Sequence, residues 1–587
     1  MLHTLSAGAF TRYDFWTKSV IFTEYIYIFT CSSRVQLSHM NYGILYVCVH
    51  DKITKRFAEP LFLSMLLFKV DWRWLVLQTM NVNTKKNLNC ASYHNKSYKD
   101  ALKALFSLQS NYQYLKLATK PNVDNSNKLD DVRKALLRSG ITLEKLDTLS
   151  VIHVAGTKGK GSACAYTEAI LRKHGFRTGF FSSPHLVTVR ERIRINGEPI
   201  SESYFTRYFW RVYNKLDNTK EHESDMPMFF KFLTILMFHI FLDVNVDVAI
   251  IEVGIGGLLD CTNIVKSPVC VGITSLALDH TSVLGNTIED IAFQKSGIFK
   301  PKSIAFSVPQ LPEAMHVLEK RAVESHCTLR VIPSLEEYTW ENISPILQIT
   351  NNVQKQNASL AIQMATTWIT SKSNKCVPIT SNTIHGNNNN EYIQRNSLIQ
   401  ETELSEIVSM DKIAIGLCAC KWPGRMQILR GSMADFFLDG AHTIESMKCC
   451  IDWFNNVSNG RSEGNKILIF NTSSKRNSTT LLTLLKPLGF RKAYFVPNFA
   501  RIETTDNEMN CYLIDAQKLK CVNNSNEWEA DSMVVNSVFE CLEEIKKGST
   551  DNVNCNEKFQ ILVTGSLHLV GAVLSILDPN LTMSTKF

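Results

Sequence analysis

The sequence lacks the cysteine patterns that mark a zinc site or a disulfide framework. Its sixteen cysteines are scattered over 587 residues, without a C-x-x-C pair and without a His/Cys cluster at zinc-ligand spacing. The neighbouring pairs Cys418/Cys420 and Cys449/Cys450 do not form such a pattern either. Reduced thiols in a cytosolic or matrix compartment are therefore the simplest interpretation.

Long apolar runs and a strong charge imbalance are missing too. Segment 19–31 is apolar but short and contains Glu24, and segment 61–80 is interrupted by charged residues, whereas a membrane span needs about 20 predominantly apolar residues. The chain has 63 basic and 55 acidic residues, an excess too small for this length to indicate a polyanion partner. We expect neither a stable membrane span nor binding to nucleic acid.

The length and composition predict more than one folded domain. A single core rarely grows beyond about 250–300 residues, and a hydrophobic content of 45% provides enough apolar side chains for two. We predict a poorly interpretable N-terminal extension (1–95), a central domain (96–370), a polar, Asn-rich insert (371–401) and a C-terminal domain (402–587). The extension has a basic excess compatible with a targeting segment but lacks a clear Arg/Ser-rich amphipathic pattern.

Strand and helix patterns alternate through both predicted domains, which is typical of an α/β fold. The strands of the central domain are continuous apolar runs, as expected when helices cover both faces of a mostly parallel sheet. Predicted strands are 150–155, 178–181, 247–253, 269–274 and 303–307, then 434–438, 466–470, 493–496 and 559–563, and helices are predicted over 98–110, 163–174 and 230–244. We therefore expect a largely parallel central sheet and a smaller C-terminal α/β domain.

Segment 151–162 is an apolar strand followed by a glycine-rich turn around Lys160. Such a turn surrounds an anion with backbone N–H groups, the lysine adds positive charge, and the helix predicted over 163–174 directs its N-terminus to the same place. The plain phosphate-loop pattern is not matched, because Gly161 separates Lys160 from the hydroxyl residue Ser162. A nucleotide triphosphate site is favoured, and a merely flexible strand-to-helix turn is the alternative.

Three more residues follow predicted strands and are candidates for one metal site. Ser183 lies in a turn after a strand, Glu252 ends a buried strand, and His280 follows another strand. The carboxyl ends of parallel strands share one crevice, and a buried carboxylate needs a cation or hydrogen-bond donors, so Mg²⁺ or Mn²⁺ would suit this set. The alternatives are a Ser-Pro turn and a structural histidine; the glycines of 254–257 only partly match a dinucleotide fingerprint.

Several basic residues are ambiguous from sequence alone. Lys295 is either a surface cation or points back into the site. Arg190, Arg192 and Arg194 alternate, so in an extended chain they would share one face, which is either a solvated strand face or an anion-binding strip.

Two segments of the C-terminal region, 422–425 and 437–442, also stand out. Arg425 has a side chain suited to binding a phosphate, and the side chain of Asp439 is suited to binding a ribose or an ammonium group. As isolated segments, both are equally compatible with ordinary turns.

Taken together, these segments resemble the folylpolyglutamate synthase family of the Mur-ligase superfamily, from about Tyr98 to the C-terminus. The resemblance rests on His153-Val-Ala-Gly-Thr-Lys-Gly-Lys-Gly-Ser162, Gly179-Phe-Phe-Ser-Ser-Pro-His-Leu186, Arg190-Glu-Arg-Ile-Arg-Ile-Asn-Gly197, Glu252-Val-Gly-Ile-Gly-Gly257, Leu278-Asp-His280, Gln294-Lys295, Trp422-Pro-Gly-Arg425, Asp439-Gly-Ala-His442 and Val563-Thr-Gly-Ser-Leu-His568, in the family's order. It also accounts for the imperfect phosphate loop, since the family has a glycine after the lysine.

The resemblance implies a P-loop, Mur-ligase-like ATPase domain with a Rossmann-like C-terminal domain, and an ATP-dependent amide ligase. The γ-carboxylate of a reduced folate would take a phosphoryl group from ATP, and the amine of L-glutamate would attack the acyl phosphate. By position, the resemblance implies triphosphate contacts from Gly159, Lys160, Gly161 and Ser162, Mg²⁺ ligands Ser183, Glu252 and His280, and ATP contacts from Asn357 (to adenine), Arg425 and Asp439.

Further roles come from the same resemblance. Lys160, Lys295 and His442 would be catalytic: Lys295 as a carbamylated lysine that adds a metal-binding carboxylate, and His442, with Asp439, near the acyl phosphate and the incoming glutamate. It leaves room for a monovalent cation such as K⁺. We expect a monomer in the cytoplasm, the mitochondrial matrix or both, with ATP, L-glutamate and reduced folates as its small-molecule partners.

Three rival functions use similar residues. A dihydrofolate synthase, or a bifunctional enzyme, would add the first glutamate to dihydropteroate with the same ATP machinery. A peptidoglycan Mur ligase is disfavoured, because 180–185 and 190–194 resemble the folate branch. A non-catalytic ATP-binding relative would not need Lys160, Glu252, His280 and Asp439 together.

Overall fold

A computed structural model describes most of the chain beyond the N-terminal extension. The described residues are 96–108, 128–222, 225–345, 351–372, 408–458, 465–472, 478–501, 514–550 and 558–587. Every described residue belongs to one compact unit, Asn95–Phe587. The predicted extension 1–95 lies outside the described residues, as does the predicted insert apart from its first two residues, which end a helix.

The first sheet has eight strands and is mostly parallel. Its strands are β1 (Val151–Ala155), β2 (Thr178–Phe181), β3 (Ile193–Ile195), β4 (Glu198–Pro199), β5 (Val248–Glu252), β6 (Cys270–Ile273), β7 (Ile304–Ser307) and β8 (Thr328–Val331), in the spatial order β4-β3-β2-β5-β1-β6-β7-β8. Only the pairs β2–β3 and β3–β4 are antiparallel. All residues of β1, β2, β5 and β6 are buried, as expected for strands with helices on both faces.

The second sheet has six strands. They are β9 (Gln427–Arg430), β10 (Ala434–Leu438), β11 (Lys466–Phe470), β12 (Lys492–Phe495), β13 (Ser532–Val534) and β14 (Phe559–Thr564), in the order β13-β12-β11-β14-β10-β9. The edge strand β9 is antiparallel to β10, and the other pairs are parallel. The mixed α/β class and the largely parallel central sheet predicted from the sequence are confirmed, and the second sheet is mostly parallel as well.

Helices surround both sheets. They are α1 (Tyr98–Ser107), α2 (Lys128–Ser139), α3 (Leu143–Leu146), α4 (Lys160–Lys173), α5 (Glu202–Asn218), α6 (Phe229–Val244), α7 (Thr281–Leu284), α8 (Ile288–Ser296), α9 (Pro312–Glu324), α10 (Asn352–Lys372), α11 (Met410–Ala419), α12 (Ile444–Ser458), α13 (Thr479–Leu485), α14 (Ile514–Trp528), α15 (Val538–Thr550) and α16 (Leu567–Leu577). Within the described residues, no helix combines the length and the apolar character that crossing a membrane requires.

Helix α4 is the centre of the main core. It packs against α10 and α11, and its apolar residues join those of β1, β5 and α10 in one buried cluster. Trp368 of α10 is 1% exposed and donates a hydrogen bond from its indole nitrogen to Ser150 Oγ at 2.8 Å, just before β1. Because α4 is held on both flanks, its N-terminus has a fixed position beside the end of β1.

The central strands bring their carboxyl ends together at one edge of the first sheet. Val154 of β1 lies beside Glu252 of β5. The backbone N–H groups of Thr157 and Lys158 donate to the carbonyl of Ser275, which follows β6, at 2.9 and 3.3 Å. The loops after β1 and β6 are thereby tied to each other, and this edge carries the candidate site.

The predicted strands agree with the observed ones to within one residue at either end. The residue pattern did not predict β3, β4, β8, β9 and β13, which are short or lie at sheet edges, where alternation is weak. The helix predicted over 163–174 begins earlier, at Lys160, because Gly159 takes the left-handed conformation that starts it. The domain boundaries stay predictions, since both sheets belong to one compact unit.

Candidate active site

A cavity of about 840 Å³ lies where the loops of the first sheet meet those of the second. It is lined by most of the residues predicted from the sequence: Gly159, Lys160, Gly161, Ser162, Ser183, Glu252, His280, Asn357, Arg425, Asp439 and His442. Of the predicted site residues, Lys295 does not line it. A volume of this size fits a ligand of the dimensions of a nucleotide with a second substrate beside it.

The glycine-rich turn has the geometry of an anion-binding helix N-terminus. Gly159 is the N-cap of α4 with φ +91°, a conformation that a residue with a Cβ rarely adopts. A Cβ at Gly159 would also lie 2.4 Å from Asn357 Oδ1, so Asn357 of α10 packs directly on the turn. The first N–H groups of α4 open towards the cavity with the helix dipole behind them, which favours a phosphate group.

Glu252 is a buried carboxylate at the end of β5. Its side chain is 5% exposed in total and accepts a hydrogen bond from the backbone N–H of Ser183 at 2.9 Å. Burial raises the pKa of Glu252, and the nearby charges of Lys160, Arg425 and Arg192, together with the Ser183 N–H, only partly oppose that rise. A hard divalent cation would supply the missing compensation, so the donor fits Mg²⁺.

The other predicted metal ligands lie on the same cavity. His280 is exposed and takes a left-handed conformation (φ +52°) at the N-cap of the short helix α7. Among the described residues, no group of three or more His, Cys, Asp and Glu side chains is arranged to hold a metal ion.

Two lysines converge on one backbone carbonyl beneath the turn. Lys295 Nζ donates to the carbonyl oxygen of Gly156 at 2.8 Å, and Lys160 Nζ donates to the same oxygen at 3.1 Å. Lys295 is 4% exposed, and its burial, together with the charge of Lys160, places its pKa well below the usual lysine value. Of the two orientations left open by the sequence, the structure shows the one that points back towards the site.

Arg425 and Asp439 come from the second half of the chain. Asp439 accepts hydrogen bonds from the backbone N–H groups of Met426 and Ala441 at 3.0 and 2.9 Å. Burial raises the pKa of Asp439, and Arg425 opposes that rise; burial lowers the pKa of Arg425, opposed by Asp439 and Glu252. The charge of Arg425 therefore favours the ionised form of one carboxylate from each sheet, Asp439 and Glu252.

Lys158 is a residue that the sequence analysis missed. Its Nζ atom donates to Asp279 Oδ2 at 3.1 Å and to His442 Nε2 at 3.0 Å, so it bridges the two halves of the cavity. The Nδ1 atom of His442 donates to the carbonyl of Gly440 at 2.7 Å, which leaves Nε2 as the acceptor. The only sequence signal for Lys158 was its position within the glycine-rich turn.

The prediction that three alternating arginines share an extended face is wrong. Residues Val189–Arg192 form a single 3-10 turn, because the carboxylate of Glu191 accepts the backbone N–H groups of the three residues before the turn. Arg190 donates to the carbonyl of Ile200, and Arg194 donates to carbonyls of its own loop and lies over the Trp422 ring. Only Arg192 of the three lines the cavity.

Comparison with known proteins identifies the family. No protein-family model matches the chain. A cattle (Bos taurus) protein named mitochondrial folylpolyglutamate synthase is 37% identical over 554 residues, covering 83% of this chain and 93% of the relative. The chain belongs to the folylpolyglutamate synthase family. A folylpolyglutamate synthase of Arabidopsis thaliana is 36% identical over 556 residues, with 84% of this chain and 90% of the relative covered.

The fold of a solved bacterial folylpolyglutamate synthase is similar as well. The crystal structure of the Thermotoga maritima protein superposes with a TM-score of 0.57 at 24% identity, covering 81% of this chain and 95% of that one. The Mur-ligase-like architecture expected from the sequence is thereby confirmed. As a member of the folylpolyglutamate synthase family, the chain is an enzyme that uses ATP to add glutamate to folates.

Proposed function

We propose that this enzyme extends tetrahydrofolates by γ-linked glutamate through an acyl phosphate. The γ-carboxylate of the folate attacks the terminal phosphorus of ATP, and ADP leaves; the amine of L-glutamate then attacks the acyl carbon, phosphate leaves and the amine loses a proton. One observation carries the proposal: the phosphate-binding turn, the buried Glu252 and the pair Arg425/Asp439 line the same cavity. A nucleotide, a metal ion and an anionic second substrate can therefore meet there.

We assign the triphosphate to the turn and the start of α4. The N–H groups of Gly159, Gly161 and Ser162 would hold its oxygens, and Lys160 would neutralise charge that builds on the transferring phosphoryl group. Lys160 lines the cavity, and its flexible side chain would exchange its hydrogen bond to the Gly156 carbonyl, at 3.1 Å, for one to a phosphate.

Ser183, Glu252 and His280 are proposed to hold Mg²⁺ beside the phosphates. When bound there, the ion would offset negative charge on the phosphoryl oxygens. Lys295 is proposed to add a carboxylate by carbamylation: its neutral amine adds to CO₂, forming a carbamate and releasing one proton. The lowered pKa of Lys295 favours the neutral amine that this addition requires. We also propose K⁺ as a second, monovalent ion of the site, which is tested by measuring activity without K⁺.

The second half of the chain would complete the site. Arg425 and Asp439 are proposed to bind ATP, and Asn357, which packs on the turn, to contact the adenine. His442 is assigned near the acyl phosphate and the incoming amine. Its Nε2 atom is an acceptor in the present hydrogen bonds, which is the state that receives a proton.

Domain limits, oligomeric state and location are also proposals. We propose a central domain at 96–370 and a C-terminal domain at 402–587, whose closure would assemble the site, in a monomeric enzyme. The word mitochondrial in the name of the cattle relative supports a matrix location, and a cytoplasmic pool is proposed beside it. Light scattering of the purified protein tests the monomeric state, and fractionation of cells tests the location.

The direct test follows ADP release by the purified full chain with MgATP, tetrahydrofolate and L-glutamate. We expect release only when both acceptor and glutamate are present, a product one glutamyl residue heavier by mass spectrometry, and no release by Lys160→Ala. A parallel reaction replaces tetrahydrofolate with dihydropteroate. Turnover of dihydropteroate would make the enzyme bifunctional, and no glutamate-dependent release with either acceptor would refute the proposal.

A further inference from the structure

The side chain of Arg192 is a buried cation on the cavity wall that the proposed mechanism does not use. It ends the 3-10 turn Val189–Arg192, is 4% exposed, and lines the same cavity as Ser183 and Glu252. Glu252 and Arg192 each feel the charge of the other, so the guanidinium lies near the proposed metal site. A buried guanidinium is costly unless its N–H groups are hydrogen-bonded, so its partners decide what it does.

The structure holds the Arg192 guanidinium in one orientation. Its Nε donates to Nδ1 of His185 at 2.9 Å, and its Cζ lies 5.2 Å from the centre of the Phe229 ring. Because Arg192 Nε donates to it, the Nδ1 atom of His185 carries no proton and acts as the acceptor. Burial lowers the pKa of Arg192 to about 10, which leaves the guanidinium charged at neutral pH.

Among the described residues, one donor of the guanidinium lacks an acceptor. The Nη1 atom of Arg192 is buried and has no hydrogen-bond partner within the part of the chain that the structure describes. A planar guanidinium on a cavity wall with an unused N–H donor matches a carboxylate or a phosphate. The cavity wall is partly apolar, since Met228 and Phe230 also line it, and the Phe229 ring lies against the guanidinium; this suits an aromatic substrate carrying a carboxylate better than a triphosphate.

A terminal glutamate offers two carboxylates, and only one of them can be the partner. The γ-carboxylate must attack phosphorus, and pairing it with a guanidinium would reduce its nucleophilicity. The α-carboxylate does not react and is regenerated at the chain end in every cycle, so a contact with it would position substrates of any length. We propose that Arg192 binds the α-carboxylate of the folate's terminal glutamate and that His185 is its positioning residue; this inference rests on the proposed function.

The test compares Arg192→Gln with Arg190→Gln, the same change in the same turn at a residue that does not line the cavity. Loss of one charge-assisted contact, about 1.5–3 kcal/mol, predicts a rise of roughly 10- to 150-fold in KM for tetrahydrofolate. We expect KM for ATP and for L-glutamate to stay within about twofold in both variants, because the contact is confined to the folate. Arg192→Lys should recover part of the loss, and His185→Phe should raise the same KM.

A substrate analogue makes the assignment specific. Tetrahydropteroyl-γ-aminobutyrate lacks the α-carboxylate but keeps the γ-carboxylate, and its affinity is measured by calorimetry in the presence of a non-hydrolysable ATP analogue. We expect wild type to bind it about as weakly as Arg192→Gln binds tetrahydrofolate, and we expect Arg192→Gln to cause no further loss. This comparison on wild type stands even where the variant fails to fold.

Four outcomes would overturn the inference: equal affinity of wild type for both ligands, an unchanged KM for tetrahydrofolate in Arg192→Gln, an increase confined to L-glutamate, or an equal increase in Arg190→Gln. Each of these is measured on an enzyme whose wild type is active. Failure of the proposed function is seen separately, as a wild type that releases no ADP with tetrahydrofolate and glutamate.

Discussion

The packing of Trp422 on the phosphate-binding turn predicts that Gly161→Ala is destabilising. Gly161 has an ordinary helical backbone, so the substitution tests space and not backbone strain. The added Cβ would lie 2.8 Å from Trp422 Cζ2 and 3.4 Å from Glu252 Oε2. The indole cannot easily withdraw, because its ring centre lies 5.4 Å from that of Phe180 and 5.4 Å from Cζ of Arg194.

The magnitude follows from a matched glycine elsewhere. Gly548 lies in α15, where an added Cβ meets no atom of the described residues within 4 Å. Gly548→Ala should stabilise by about 0.5–1 kcal/mol through helix propensity. Overpacking costs about 1–3 kcal/mol, so the free energy of unfolding of Gly161→Ala should be lower than that of Gly548→Ala by about that amount.

The assay is urea unfolding of the two variants and wild type, with KM for ATP measured in parallel. We expect Gly161→Ala to raise KM for ATP, because the displaced indole packs on the phosphate-binding turn and the Glu252 carboxylate lines the cavity. Trp422→Phe removes the contacting part of the indole, so a double variant should recover stability relative to the sum of the single changes. Additive losses, or equal stabilities of the two alanine variants, would refute the packing argument.

Three further predictions concern polar groups. Lys158→Met removes the side chain that bridges Asp279 and His442. Turnover should fall, whereas the free energy of unfolding should fall by no more than about 1 kcal/mol. Unchanged turnover would contradict this prediction. Asp260→Asn puts an amide NH₂ group where a carboxylate oxygen now accepts two backbone N–H groups. Urea unfolding should show a free energy of unfolding lower by about 2–6 kcal/mol, and a near-zero change would contradict this. Burial lowers the pKa of Lys295, so the folded state is destabilised at neutral pH, and this destabilisation disappears as the pH rises to the ordinary lysine pKa of about 10.4. Lys295→Met should therefore raise the thermal midpoint of unfolding at pH 7 and raise it less at pH 10. An increase in the midpoint that grows with pH would contradict this.

The fold was largely predictable because its central strands are unambiguous. The run 248–252 is apolar up to Glu252, and the structure has a fully buried strand there. Short edge strands such as β4, of two residues, carry no comparable pattern and form because a neighbouring strand is already in place. The 3-10 turn at 189–192 was missed for a related reason: it depends on Glu191 reaching back to three N–H groups.

The sequence by itself determined the α/β class, the phosphate-binding turn and the family, because strand patterns and glycine spacing are local properties of the chain. Only the tertiary structure decided which side chains meet. Lys295 could have been a surface cation, but packing buries it against Gly156, and Lys158 reaches His442, 284 residues away in sequence. The three arginines of segment 190–194 cannot be distinguished by sequence pattern. Only Arg192 of the three lines the cavity, where its Nε donates to His185. Contacts between distant segments depend on how the sheets and helices pack, and no local pattern encodes them.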